Sequence, residues 1–118
     1  MTRHETGKEA EDLAAAFLQT KGLTILDRNF RAKVGEIDII AQDGEEVVFV
    51  EVRFRASASF GGAAASVGAA KRRNLIRAAN LWLQMRGWDG GCRFDVVAFE
   101  GGALEHHPAA FDADGRAS

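Results

Sequence analysis

Between Gly35 and Arg55, in GEIDIIAQDGEEVVFVEVRFR, apolar and polar side chains alternate with a period of two, and on both sides of that stretch helical periods appear. Ile37, Ile39 and Ala41 alternate with Glu36, Asp38 and Ile40, while Val48, Val50, Val52 and Phe54 alternate with Val47, Phe49, Glu51 and Arg53. Asp43-Gly44 between them is a hairpin turn signal, so the stretch predicts two antiparallel strands. Before it, Ala10, Leu13, Ala14, Phe17 and Leu18 predict an amphipathic helix from Glu5 to Lys21, stopped by Gly22. Leu23 to Arg31 reads as a strand with Leu23, Ile25 and Asp27 on one face. After the hairpin, Ala56–Ala65 is small, Gly-rich and without period, hence a loop, in which Gly61 and Gly62 either admit a phosphate to the backbone amides or simply connect. A second helix is expected over Ser66–Arg86, where Leu75, Ile76, Ala79, Trp82 and Leu83 form the strongest helical stripe of the chain, with Gly87 as its stop. Cys92–Phe99 is a fourth strand, followed by an acidic turn at 100–102. Leu104–His107 is a short edge strand ended by Pro108, and a flexible tail is expected from about residue 109.

The hairpin carries charge where a core would normally be. With Asp43-Gly44 at the turn centre, Gln42 faces Glu45, Ile40 faces Val47, Asp38 faces Phe49 and Glu36 faces Glu51. Asp38, Glu51 and Arg53 then emerge on one face, with Asp38 diagonal to Glu51 at roughly 7–8 Å between backbones. Glu36 opposite Glu51 would be a like-charge pair, so this geometry asks for a metal, an arginine or raised carboxylate pKa values. The plain alternative is a solvent-facing side of an antiparallel hairpin, where acids and arginines are ordinary. Ile40, Val47 and Phe49 make that face too apolar for it.

Length and composition narrow the class. At 118 residues the chain is one domain, 1–118, large enough for a core without staples. Its 47% hydrophobic and 27% charged residues are those of a globular protein, and no apolar run approaches the roughly 18 residues of a membrane span. The polar start MTRHETGKEAED does not resemble a signal peptide, and the lone Cys92 forms no internal disulfide, so a reducing cytoplasm is expected. The net charge of −2 is not that of a typical nucleic-acid binder. Nine of the fifteen basic residues nevertheless fall in three groups: Arg28, Arg31 and Lys33; Arg53 and Arg55; Lys71, Arg72, Arg73 and Arg77. Such grouping attracts phosphate locally, or else only solubilises.

Two helix residues stand close to the sheet, either as ordinary solvated or snorkelling side chains or as neighbours of its charges. Glu11 lies one turn from Ala14 and Leu18, beside the buried stripe, and Lys71 lies four residues before Leu75, so it can lean over the sheet while Arg72 and Arg73 turn outward. His106 and His107, adjacent on a strand, point to opposite faces and do not share an ion.

Gly7-x-x-x-Glu11-x-x-Ala14, Arg28-Asn29, Gly35-Glu36-Ile37-Asp38, Val48-Phe49-Val50-Glu51-Val52-Arg53, Lys71 and Arg93-Phe94-Asp95-Val96 together resemble the YraN family of uncharacterised bacterial proteins, over nearly the whole chain. That family in turn resembles the restriction-endonuclease-like nucleases with a D…(D/E)-x-K motif, including the Holliday-junction resolvases. The resemblance implies an α/β, restriction-endonuclease-like domain with a mixed sheet of about five strands flanked by helices. It implies Glu11 as an outer acid, Asp38 and Glu51 as ligands of Mg²⁺ or Mn²⁺, and Lys71 as a phosphate-facing residue. Arg28, Arg31, Arg53, Lys71 and Arg72 are the candidate nucleic-acid contacts, with DNA or another nucleic acid as the partner. Phosphodiester hydrolysis suits a hard cation on oxygen ligands, and two carboxylates suffice for magnesium, which keeps several waters.

The departure from the motif is Arg53, which stands where the nucleases have lysine. Arginine keeps its charge at any accessible pH, so it can stabilise a transition state or orient a water but cannot be a general base. Three functions remain open on the residues: a metal-dependent nuclease of resolvase type, a non-catalytic nucleic-acid-binding module on the same fold, and a protein-interaction domain. A homodimer would suit the two-fold symmetry of a four-way junction, with Phe60, Trp88 and the fifth-strand edge as candidate interfaces.

Overall fold

The computed structural model describes residues 3–55, 67–100 and 102–116. The loop expected at 56–65, with Phe60, Gly61 and Gly62, and the centre of the acidic turn at Gly101 lie outside them. The elements are α1 (Arg3–Thr20), β1 (Thr24–Ala32), β2 (Gly35–Asp43), β3 (Glu46–Arg55), α2 (Ala69–Arg86), β4 (Gly91–Glu100) and β5 (Ala103–Phe111). The strands lie in one sheet in sequence order, all neighbours antiparallel except the parallel pair β3 and β4, between which α2 falls in sequence. This is the mixed α/β domain expected, with one helix on each face.

The two faces hold different cores. On one, Ala10, Ala14, Ala15 and Leu18 of α1 pack against Ile39, Ala41, Val48, Val50 and Val97. On the other, Leu75, Ala78, Ala79 and Trp82 of α2 pack against Ile40, Val47, Phe49, Phe94 and Val96. The α1 contact is built on alanines, which let the helix approach the sheet closely. Leu13, expected on the buried stripe, is 59% exposed, because the helix is rotated to bury Ala15 in its place. Helix α2 ends on Gly87, whose φ of 62° supplies the left-handed cap. No helix among the described residues is long and apolar enough to cross a membrane.

Three local expectations are corrected. The hairpin pairs Gln42 with Val47 and Asp43 with Glu46, so its turn is Gly44-Glu45, with Gly44 at φ 61°, and not Asp43-Gly44. A turn moved by one residue shifts the register by two, so Ile40 faces Phe49, yet the parity that puts Asp38 and Glu51 on one side of the hairpin is kept. In β1 an irregularity between Ile25 and Asp27 reverses the faces: Ile25 joins the α1 core, whereas Asp27 turns toward Arg86 of α2 at 3.9 Å. Strand β5 runs through Pro108 to Phe111, because Pro108 falls where the pairing with β4 already shifts and an edge strand can dispense with that N–H. Ala110 and Phe111, within the expected tail, are buried, and Phe111 stacks on Phe94 at 5.1 Å; Asp112–Arg116 closes a turn with an N–H to carbonyl bond of 2.9 Å.

Candidate active site

The site forms where the sheet comes apart. Pairing of β2 with β3 is regular from Asp43↔Glu46 to Ile39↔Val50 and stops there. The next N–H of β3 in that ladder, on Val52, has no strand partner and donates instead to Asp38 Oδ2 at 2.8 Å. Asp38 therefore replaces a carbonyl of its own strand as acceptor. Ordinary alternation also fails here, since Ile37 lies in the α2-side core and Ile39, two residues on, in the α1-side core. Asp38 sits at that reversal and so meets acids from both faces.

On the α2 side it meets Glu51. This residue is only 6% exposed, and its Oε2 is buried without a hydrogen-bond partner. Its pKa is pushed up to about 8, first by burial, then by hydrogen bonding to Asp38 and by the Asp38 charge; Lys71 and Arg53 pull the other way without prevailing. Lys71 Nζ lies 3.5 Å from Glu51 Oε2, so the helix residue does lean over the sheet as its spacing predicted. Arg53 shares Glu51's side of β3 and has a buried Nε with no partner. On the α1 side Asp38 meets Glu11, whose pKa is raised by burial and by the Asp38 charge, and held back by Arg28 and the Asn29 amide.

Asp38, Glu51 and Lys71 thus lie together, with Glu11 and Arg53 near enough to act on the hairpin acids through their charge. Arg28 joins them by another route, its Nη2 lying 2.7 Å from Asp12 Oδ1 and 3.7 Å from Glu11 Oε1. Arg31 stands at the rim, 3.6 Å from Glu36. The predicted position of Glu36 opposite Glu51 is corrected by the β2–β3 register, which is shifted by two and ends at Ile39↔Val50, while on the β1 side Glu36 sits opposite Arg31. Arg72 is not turned fully outward; it is half-buried, with its stem against Gly115 and its Nε buried, and no described contact ties it to the carboxylates. A cleft of about 690 Å³ runs from Glu11 past Lys8, Arg28, Asn29, Arg31 and Glu36. Lys8 was not singled out by the sequence, and Asn29 entered only as part of the Arg28-Asn29 motif with no role of its own, although an asparagine inside a strand pattern is itself a signal of left-handed backbone.

A second charged cluster also escaped sequence reading. Asp95 is fully buried and accepts from Arg93 Nε at 3.0 Å, the Ala109 N–H at 2.9 Å and His106 Nε2 at 2.8 Å. Arg93 continues to Asp43 at 2.9 Å and Glu46 at 3.3 Å. Burial alone would raise the Asp95 pKa, but the bonds from His106, Arg93 and Ala109 outweigh it and lower the value. This network ties β4 to β5 and to the hairpin, and every Asp95 oxygen is satisfied, which is the mark of a structural ion cluster. His107 turns to Glu105 at 3.1 Å, so the two histidines diverge as expected.

The model of the uncharacterised protein family UPF0102, the YraN family, matches residues 10–99. The chain belongs to that family. UPF0102 proteins similar to it include one from Janthinobacterium sp. (strain Marseille), 54% identical over 94 residues that cover 80% of this chain and 76% of the relative. One from Anaeromyxobacter dehalogenans is 49% identical, covering 97% and 89%, and one from Yersinia enterocolitica is 47% identical, covering 97% and 100%. The UPF0102 match takes in α1 from Ala10 on, the whole hairpin, α2 and nearly all of β4, hence every member of the carboxylate site.

Proposed function

We infer that this UPF0102 protein is a divalent-metal-dependent nuclease, resolvase-like, acting on DNA or another structured nucleic acid. The observation that carries the reading is Glu51: a buried carboxylate set against Asp38, whose Oε2 accepts no hydrogen bond and has only the Lys71 ammonium at 3.5 Å, is held at a cost that a bound cation would remove. The donor set fits a hard ion. Among the described residues no three Asp, Glu, His or Cys side chains converge to enclose a metal, so Asp38 and Glu51 would hold Mg²⁺ or Mn²⁺ with water completing the shell. Such an ion, when bound, offsets charge on the phosphate and acidifies a bound water.

The chain's own groups supply the rest. Arg53 and Lys71 flank the carboxylates on the α2 side and offer donors to a phosphodiester, Arg53 as a permanent charge. Arg28, Arg31 and Lys8 extend the basic lining along the cleft, and Glu11 keeps a second acid beside Asp38. A second reading, a nucleic-acid-binding module without catalysis, is favoured by Arg53, because no titratable amine stands at the motif's lysine position. One assay separates them: incubation of branched and linear DNA with the protein in Mg²⁺ or Mn²⁺. The nuclease reading expects metal-dependent cleavage that Asp38→Asn abolishes along with calorimetric Mn²⁺ binding. Salt-sensitive binding without cleavage would establish the second reading, and neither would sink both.

A further inference from the structure

Strand β1 breaks its alternation at Asn29. Arg28 pairs with Ile39 and turns to α1, where it meets Asp12 and Glu11, whereas Phe30 pairs with Ile37 and packs into the α2-side core. Residues two apart on a strand normally share a face, so the chain has turned over between them. Asn29, at the turnover, has φ 55°; Ala109 is the other described non-glycine residue with positive φ. The pairs on either side place Asn29 level with Asp38, where β2 turns over in step. Glycine would adopt this backbone more readily, and asparagine tolerates it with a side chain to spare. That side chain lines the same cleft as Glu11 and Arg28, on the side where its amide would help hold the Glu11 carboxylate charged.

We propose that Asn29 is a positioning residue: its left-handed backbone swings the Arg28–Asn29 pair onto Glu11 and so fixes that acid in the cleft that takes the phosphodiester backbone leading to Asp38 and Glu51. The proposal rests on the nuclease or nucleic-acid reading above for its ligand, and on the fold alone for its geometry. A plain turn residue would be replaceable by glycine without loss. A positioning residue would not, because glycine keeps the backbone and deletes the amide. Aspartate keeps the local conformation and sets a second carboxylate against Glu11.

The test uses the full chain with Asn29→Gly and Asn29→Asp, each alone and combined with Glu11→Ala. Urea unfolding should give Asn29→Gly a midpoint equal to or above wild type. Its affinity for a labelled branched DNA with non-hydrolysable linkages, in Mg²⁺, should nonetheless fall about tenfold, the scale of one hydrogen bond to a charged group. Asn29→Asp should fall further, and in the Glu11→Ala background Asn29→Gly should cost nothing more. Wild-type affinity in Asn29→Gly would overturn the proposal, as would an equal loss with and without Glu11, which would mean that Asn29 touches DNA directly. If wild type binds no DNA, the functional reading fails, and NMR decides the geometry. A shift of the Asn29 side-chain amide resonances in Glu11→Ala supports the contact, and unmoved resonances overturn it.

Discussion

Glu51→Gln should make the protein more stable, and increasingly so as pH rises. A carboxyl whose pKa is about 8 in the folded chain against 4.5 unfolded is kept protonated by folding. Its contribution is therefore fully present below pH 4.5 and is lost as pH rises through about 8, the reverse of a salt-bridged acid. At about 1.4 kcal/mol per pH unit the loss approaches about 5 kcal/mol above pH 9, and about 3 kcal/mol of it has accrued by pH 7. Glutamine is neutral at every pH, so the gap between mutant and wild type isolates this term from any fixed cost of losing the Lys71 pair. For a domain of this size 1 kcal/mol is worth about 4 °C in Tm, and the gap should widen by about 14 °C between pH 5 and pH 8. Calorimetry or circular-dichroism melts across that range measure it. Mg²⁺ at pH 8 should recover stability in wild type alone, since only a carboxylate offers the ion its charge. A gap that is constant with pH, or that narrows, would refute the raised pKa and with it the argument that Glu51 awaits a cation.

If the site cleaves, Arg53→Ala should slow the reaction about a hundredfold or more while Arg53→Lys retains or raises it; cleavage indifferent to Arg53→Ala would leave Arg53 no part in the chemistry. Gly35→Ala should destabilise by about 1–3 kcal/mol in urea unfolding, because the added Cβ would lie 2.9 Å from the Asn74 carbonyl oxygen and force α2 off β2. Asp95→Asn should cost about 3 kcal/mol at pH 7 by leaving Arg93 and His106 short of an anion. Because the Asp95 pKa is lowered, its stabilisation is present above pH 3.8 and lost as pH falls below it, so that gap should close in acid melts.

The elements were legible because each carries a strong period. The α2 stripe and the β3 alternation survive in the structure within a few residues, and Gly22 and Gly87 stop the helices through the positive φ they alone adopt cheaply. What sequence reading missed lies where a regular period breaks. An irregularity at Leu26 reversed Asp27, a one-residue move of the turn changed every facing pair of the hairpin without itself changing a face, and the reversal at Asp38 put Ile37 on the side opposite to Ile39. The Asp95 cluster joins residues up to 50 positions apart, which no local pattern announces.

Asp38 shows why the candidate site was half visible. Its side of the hairpin follows from parity, and parity survives a shift of two, so its nearness to Glu51 could be read from alternation alone. Its nearness to Glu11 could not, because α1 and α2 lie on opposite faces and a residue of a regular strand meets one of them only. Joining acids from both faces requires a strand that reverses, a neighbour that reverses with it, and an acceptor for the N–H that the parted strands leave open. Asn29 meets the second requirement and the Asp38 carboxylate itself meets the third, at Val52. The feature that defeats prediction from alternation is thus the same one that assembles the acids: a site built at a break in the sheet is invisible to rules that assume the sheet continues.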